Sequence, residues 1–86
     1  MPYRVAFERT AERSLARLPI EIQRRIVKRM TALVDDPRPQ GAKALQGNEA
    51  GYLRIRVGDY RVVYTVDDNV LLVLVVRIGH RREVYR

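Results

Sequence analysis

Arg54, Arg56 and Arg61 lie close together in the segment "GYLRIRVGDYRVVYTV", and a second basic run, "VRIGHRREVYR", occupies residues 76–86. A guanidinium stays protonated in proteins and presents five donors in a planar fork. Arginines gathered on one surface therefore make a fixed positive field suited to phosphate or carboxylate. The second run carries the lone histidine, His80, with Arg77, Arg81, Arg82 and Tyr85 around it. Together the two segments hold the parts of an anion site. His80, Glu83 and Tyr85 are the groups there able to exchange a proton.

Whether these residues meet depends on strand pairing. Gly58-Asp59 is the signature of a two-residue type II′ hairpin turn, which fixes the register on either side. Val57 then faces Tyr60, Arg56 faces Arg61, Ile55 faces Val62, Arg54 faces Val63 and Leu53 faces Tyr64. Side chains alternate along a strand, so Leu53, Ile55, Val57, Tyr60, Val62 and Tyr64 share one apolar face. Arg54, Arg56 and Arg61 share the other. Like charges directly opposite each other destabilise a hairpin by a few tenths of a kcal/mol. The Arg56–Arg61 pair is thus a cost that an anion would relieve. The competing reading of such a face is a solvated surface that blocks edge-to-edge aggregation.

The remaining elements supply the support. "YRVAF" (Tyr3–Phe7) alternates and reads as a strand, and "ERTAERSLARL" spaces Ala11, Leu15 and Leu18 as an amphipathic helix ending before Pro19. Pro19 suits the first turn of a second helix. Ile22, Ile26, Val27, Met30, Leu33 and Val34 form that helix's apolar stripe, and Arg24, Arg25, Lys28 and Arg29 fall mostly off it. "DDPRPQGAK" is a loop. After the turn at Asp67-Asp68-Asn69, Val70–Ile78 is apolar on both faces, as in a covered central strand. Lying antiparallel to the strand of Arg61, it returns His80, Arg81 and Tyr85 toward Arg56 and Arg61. The expected fold is α+β: one domain, residues 1–86, with a helix hairpin on one face of a four-stranded, mostly antiparallel sheet. The first strand should lie beside the last, giving the order 1-4-3-2.

Composition narrows the function classes. The chain has 86 residues, no cysteine, one histidine and a net charge of +7. Neither a disulfide framework nor a protein-only zinc site is expected. No cofactor is expected either. No apolar run approaches a membrane span, and the first residues lack the apolar stretch of a signal peptide. The expectation is a soluble cytoplasmic domain whose field favours polyanions: nucleic acid or a strongly acidic protein.

"GYLRIRVGDYRVVYTV" followed by "VRIGHRREVYR", behind a helix hairpin and the "PRPQGAKALQG" loop, resembles the RelE family of bacterial toxins within the RelE/ParE superfamily. The resemblance covers the whole chain. It implies a microbial RNase-like fold and a ribosome-dependent mRNA endonuclease that cuts the A-site codon. The reaction it implies is metal-free attack of a ribose 2′-OH on the adjacent phosphate, leaving a 2′,3′-cyclic phosphate and a 5′-OH. Arg54 and Arg56 would occupy the two basic strand positions, Arg61 would steady the phosphate, and Arg81 would sit near the leaving 5′ oxygen. Tyr85 would orient a base. Lys43, Arg24, Arg25, Lys28, Arg29, Arg77 and Arg82 are the candidates for contacting RNA or the ribosome.

The two strand positions are usually lysine in the family. Arginine cannot serve as the general base, which leaves His80, Glu83 and Tyr85, of which His80 or Tyr85 is the expected proton mover, and the arginines to supply charge. The implied partners are a small acidic RelB-like antitoxin, the ribosome with its mRNA, and operator DNA for the antitoxin complex. Two alternatives stand beside this reading. One is a ParE-like inhibitor that binds DNA gyrase. The other is a non-enzymatic nucleic-acid-binding module.

Overall fold

The computed structural model describes residues 2–80 of the chain. β1 (Arg4–Phe7) leads into α1 (Arg9–Ala16) and α2 (Ile20–Ala32). A two-residue β2 (Lys43–Ala44) and a 3-10 turn (Gly47–Glu49) precede β3 (Leu53–Val57), β4 (Tyr60–Asp67) and β5 (Leu72–His80). The sheet order is β1-β5-β4-β3-β2. The expected α+β fold and the order of the four longer strands hold. β2 makes the sheet five-stranded rather than four-stranded, pairing Lys43 with Arg54 and Ala44 with Leu53. β1 runs parallel to β5, and every other pairing is antiparallel.

All five cross-strand pairs expected across the Gly58-Asp59 turn are present. Gly58 sits at φ +59°, the left-handed value that the first position of a type II′ turn demands. Ile55, Val57, Val62, Tyr64, Val73, Val75 and Ile78 pack with Ala11, Ile26, Met30 and Leu33 into one core beneath the helices. The α2 stripe is narrower than the sequence implies: Val27 points outward and is 45% exposed. Pro19 caps α2 rather than opening its first turn. The Gln23 side-chain amide donates to the Leu18 carbonyl at 2.8 Å, tying α2 to the turn that follows α1.

β5 departs from the expected Val70–Ile78 at both ends. Its first two residues join the β4–β5 turn, where the Asp67 carboxylate accepts from the Asn69 and Val70 amides at 2.9 and 3.3 Å. Further along, Val63 pairs with Arg77 but Tyr64 pairs with Val75, so Val76 is an extra residue in β5. Such a bulge reverses the alternation beyond it. Val73 and Val75 face the helices before it, and Ile78 faces them after it. This is how one strand can look apolar on both faces in sequence.

The sheet end farthest from the Gly58 turn is tied by polar contacts. Buried Tyr64 donates its hydroxyl to the Pro37 carbonyl at 2.8 Å. Arg38 forks onto Asp68 at 3.0 and 3.2 Å, and Tyr3 donates to the same carboxylate at 2.6 Å. The Arg38 hydrogen bond, then that of Tyr3, hold the Asp68 carboxyl below its ordinary 3.8. A lowered folded-state value adds stability that is present above the unfolded value and is lost as pH falls through the folded one. Asp68→Asn is therefore expected to melt below wild type at neutral pH, with the gap closing as pH drops beneath 3.8. Melting curves across pH check this; a gap independent of pH contradicts it.

Candidate functional site

The face of the sheet turned away from the helices carries the cations in two rows set by register. One row runs Lys43, Arg54, Val63, Arg77 across β2 to β5. The next runs Arg56, Arg61, Gly79. Side chains directly opposite each other on neighbouring strands have Cβ atoms roughly 4.5–5.5 Å apart. The face is therefore a lattice of guanidinium groups rather than scattered charge. Exposure is graded across it: Lys43 and Arg56 are exposed, Arg54 is half-buried, and Arg61 is only 2% exposed. Glycine as the β5 partner of Arg61 adds no bulk beside the guanidinium.

Arg77 is already committed. Its Nη2 donates to Glu49 Oε2 at 2.5 Å, joining the segment before β3 to β5 two strands away. Nothing in the local sequence marks Glu49 for this, because its partner lies 28 residues along the chain.

The α2 cations divide. Arg25, Lys28 and Arg29 share with Arg56 a cleft of about 490 Å3 beside the β3–β4 turn. Arg24 instead borders an apolar groove with Ile20 and Val27 on the outer side of the helix, and Lys28 lines both hollows.

His80 lies apart from the three strand arginines. It pairs with Tyr60 on the helix-facing side, with ring centroids 5.6 Å apart in an edge-on arrangement. There it lines a cavity of about 420 Å3 with Ser14, Arg17 and Leu18 of α1. The sequence reading brings His80 to Arg56 and Arg61, and the strand path does deliver its backbone there. The Val76 bulge turns its side chain to the opposite face. Arg81, Arg82 and Tyr85 lie outside the described residues. Among those described, no group of three or more His, Asp or Glu gathers as metal ligands.

Chemically, the open face can hold an anion against fixed charge. It offers no group from the described strands that titrates near neutrality. Arg54, Arg56 and Arg61 can orient a phosphate and neutralise charge that builds on it.

Known proteins are similar to this chain in sequence and in fold. A family model, ParE toxin of type II toxin-antitoxin system, parDE, matches residues 5–85. Toxin RelG of Mycobacterium tuberculosis is 35% identical over 86 residues, across 100% of this chain and 99% of its own. Toxin RelE of the same organism is 40% identical, across 99% of this chain and 88% of its own. A chain of the crystal structure of the toxin-antitoxin complex RelBE2 from that organism aligns with a TM-score of 0.85 at 35% identity, covering 94% of this chain and 100% of that one. The fold is thus that of a toxin of the type II toxin–antitoxin class. Within that class the chain belongs to the RelE/ParE superfamily, as a RelE-type toxin.

The graded lattice has a direct consequence for polyanion binding. Arg56→Gln should lower the salt concentration that elutes the protein from heparin by clearly more than Arg77→Gln does, because Glu49 already offsets Arg77. Glu49→Gln should raise it. Equal drops for the two arginine variants contradict this division of roles.

Proposed function

We propose that this toxin is a ribosome-dependent mRNA endonuclease whose reacting phosphate lies on the open sheet face. The observation that carries the reading is the pair of cation rows, with Arg61 buried and Arg54 and Arg56 beside it. In the proposed reaction the ribose 2′ oxygen attacks the adjacent phosphorus and gives up its proton. The P–O5′ bond breaks, and the 5′ oxygen takes up a proton. The products are a 2′,3′-cyclic phosphate and a 5′-OH, so no water is consumed in the cleavage step.

Negative charge grows on the phosphoryl oxygens as the five-coordinate species forms. Preorganised guanidinium groups meet that charge without rearranging, which is commonly the largest catalytic contribution. Arginine cannot take the 2′ proton. We assign Arg81 to the leaving oxygen and Tyr85 to the base or the proton, following the motif that the family resemblance supplies. His80 is turned toward Tyr60 on the helix side of the sheet, so we assign it no role at this phosphate. The ribosome supplies the alignment of the mRNA, a contribution that can lower a barrier by several kcal/mol.

The partner we propose is a small acidic antitoxin, in line with the neighbour crystallised as a toxin-antitoxin complex. Opposite charge speeds such an encounter, and binding only the folded toxin adds stability by mass action. The match to a ParE model supports a second reading, inhibition of DNA gyrase by binding alone.

Single-turnover cleavage on programmed ribosomes, run beside a gyrase supercoiling assay, separates the two. The endonuclease reading predicts cleaved mRNA, cyclic phosphate ends and untouched supercoiling. Arg61→Ala should lower the cleavage rate roughly tenfold to a thousandfold, and His80→Gln should keep the wild-type pH profile. Intact mRNA with blocked supercoiling overturns the reading in favour of gyrase.

A further inference from the structure

The cleft beside the β3–β4 turn has a composition that the reacting-phosphate site does not explain. Arg25, Lys28, Arg29 and Arg56 all line it, and no acidic residue does. Among the described residues, the ion pairs engage Arg38 and Arg77 and none of these four. Arg25, Lys28 and Arg29 belong to one face of α2, three and four residues apart, so the helix presents them as a group. The turn is shaped to receive them. A Cβ at Gly58 would stand 3.3 Å from Arg25 Nη1, so the bare glycine lets the guanidinium settle against the turn backbone. Four like charges around one hollow repel one another, and an anion seated there removes the repulsion.

Arg56 belongs to both places. It is the cross-strand neighbour of Arg61 on the open face and a wall of the cleft. The two basic regions are therefore one track that bends around the β3 edge. We propose that this cleft is a second phosphate subsite, which seats a backbone phosphate of the same RNA strand whose reacting phosphate lies against Arg54 and Arg61. The proposal rests on the endonuclease reading for the direction of the strand and adds where that strand leaves the sheet. An acidic protein segment fits the cleft less well. Its apolar lining is Ala32 and Val57 alone, whereas the exposed apolar residues of α2, Ile20 and Val27, lie in the groove with Arg24, which shares only Lys28 with the cleft.

The test uses a short fluorescein-labelled single-stranded RNA with 2′-O-methyl riboses, which cannot be cut. Its affinity for the full chain is measured by anisotropy over a series of KCl concentrations. Arg25→Gln/Lys28→Gln should weaken binding roughly tenfold at moderate salt and reduce the log–log salt slope by about 1.4, as loss of two phosphate contacts on a single strand requires. Arg9→Gln/Arg13→Gln removes the same charge from α1 and should change affinity less than about twofold, with the slope kept. Arg25→Lys, which retains the charge, should keep the slope. Melting curves confirm that each variant folds. If the cleft variant behaves like the α1 variant while Arg61→Ala still weakens binding, the cleft proposal fails and the sheet-face reading survives. If wild type binds this RNA with no salt dependence, both fail. If the cleft variant loses affinity for a polyglutamate peptide but not for RNA, the occupant is an acidic protein and the proposal is wrong.

Discussion

Arg61 carries a guanidinium into the middle of β4 at 2% exposure, directly across from Arg56. Taking such a charge out of water is costly, and a like charge opposite adds to the cost. The rest of the molecule makes the position tenable. The helix-facing side of the sheet holds the apolar cluster that packs on α1 and α2, and the opposite side, where Val63 is the buried apolar residue, carries the cations. The II′ turn fixes the register that sets Arg56 against Arg61, and Gly79 leaves the β5 side of Arg61 without a competing side chain. Strain of this kind persists where the surrounding structure over-determines it, and such places are commonly functional.

Rigidity and charge are divided between the two ends of the sheet. At the far end, Tyr64 on Pro37 and the Arg38–Asp68–Tyr3 cluster join the first strand, the proline loop and the β4–β5 turn. At the near end, acidic partners are few and cations dominate. Glu49 offsets Arg77 but leaves Arg56 and the α2 group exposed to whatever anion arrives. Toxicity and neutralisation would then compete for the same field, since an acidic partner and an RNA strand are drawn by the same charges.

Much of this could be read from the chain itself. The Gly58-Asp59 dipeptide specifies a turn with one register, and that register alone puts Arg54, Arg56 and Arg61 on one face. The helix hairpin was legible for a similar reason: its apolar spacing and Pro19 are local signals. His80 was not legible. In "VLLVLVV" every position is apolar, so an inserted residue leaves no mark, and the bulge at Val76 silently reverses the faces beyond it. β2 is too short to show a period. The outward turn of Val27 and the Glu49–Arg77 bridge depend on partners far along the chain, which no local pattern reports.

The central claim is that the cross-strand pair Arg56–Arg61 is kept for its charge, although like charges facing each other across two strands oppose folding. Such a juxtaposition is destabilising by roughly 0.2–1 kcal/mol, and exposed Arg56 is the member that can be replaced without opening the core. Urea unfolding of Arg56→Thr beside wild type measures this directly. The account predicts an equal or higher midpoint with an unchanged denaturant slope. A midpoint clearly below that of wild type would contradict it and make Arg56 a structural residue.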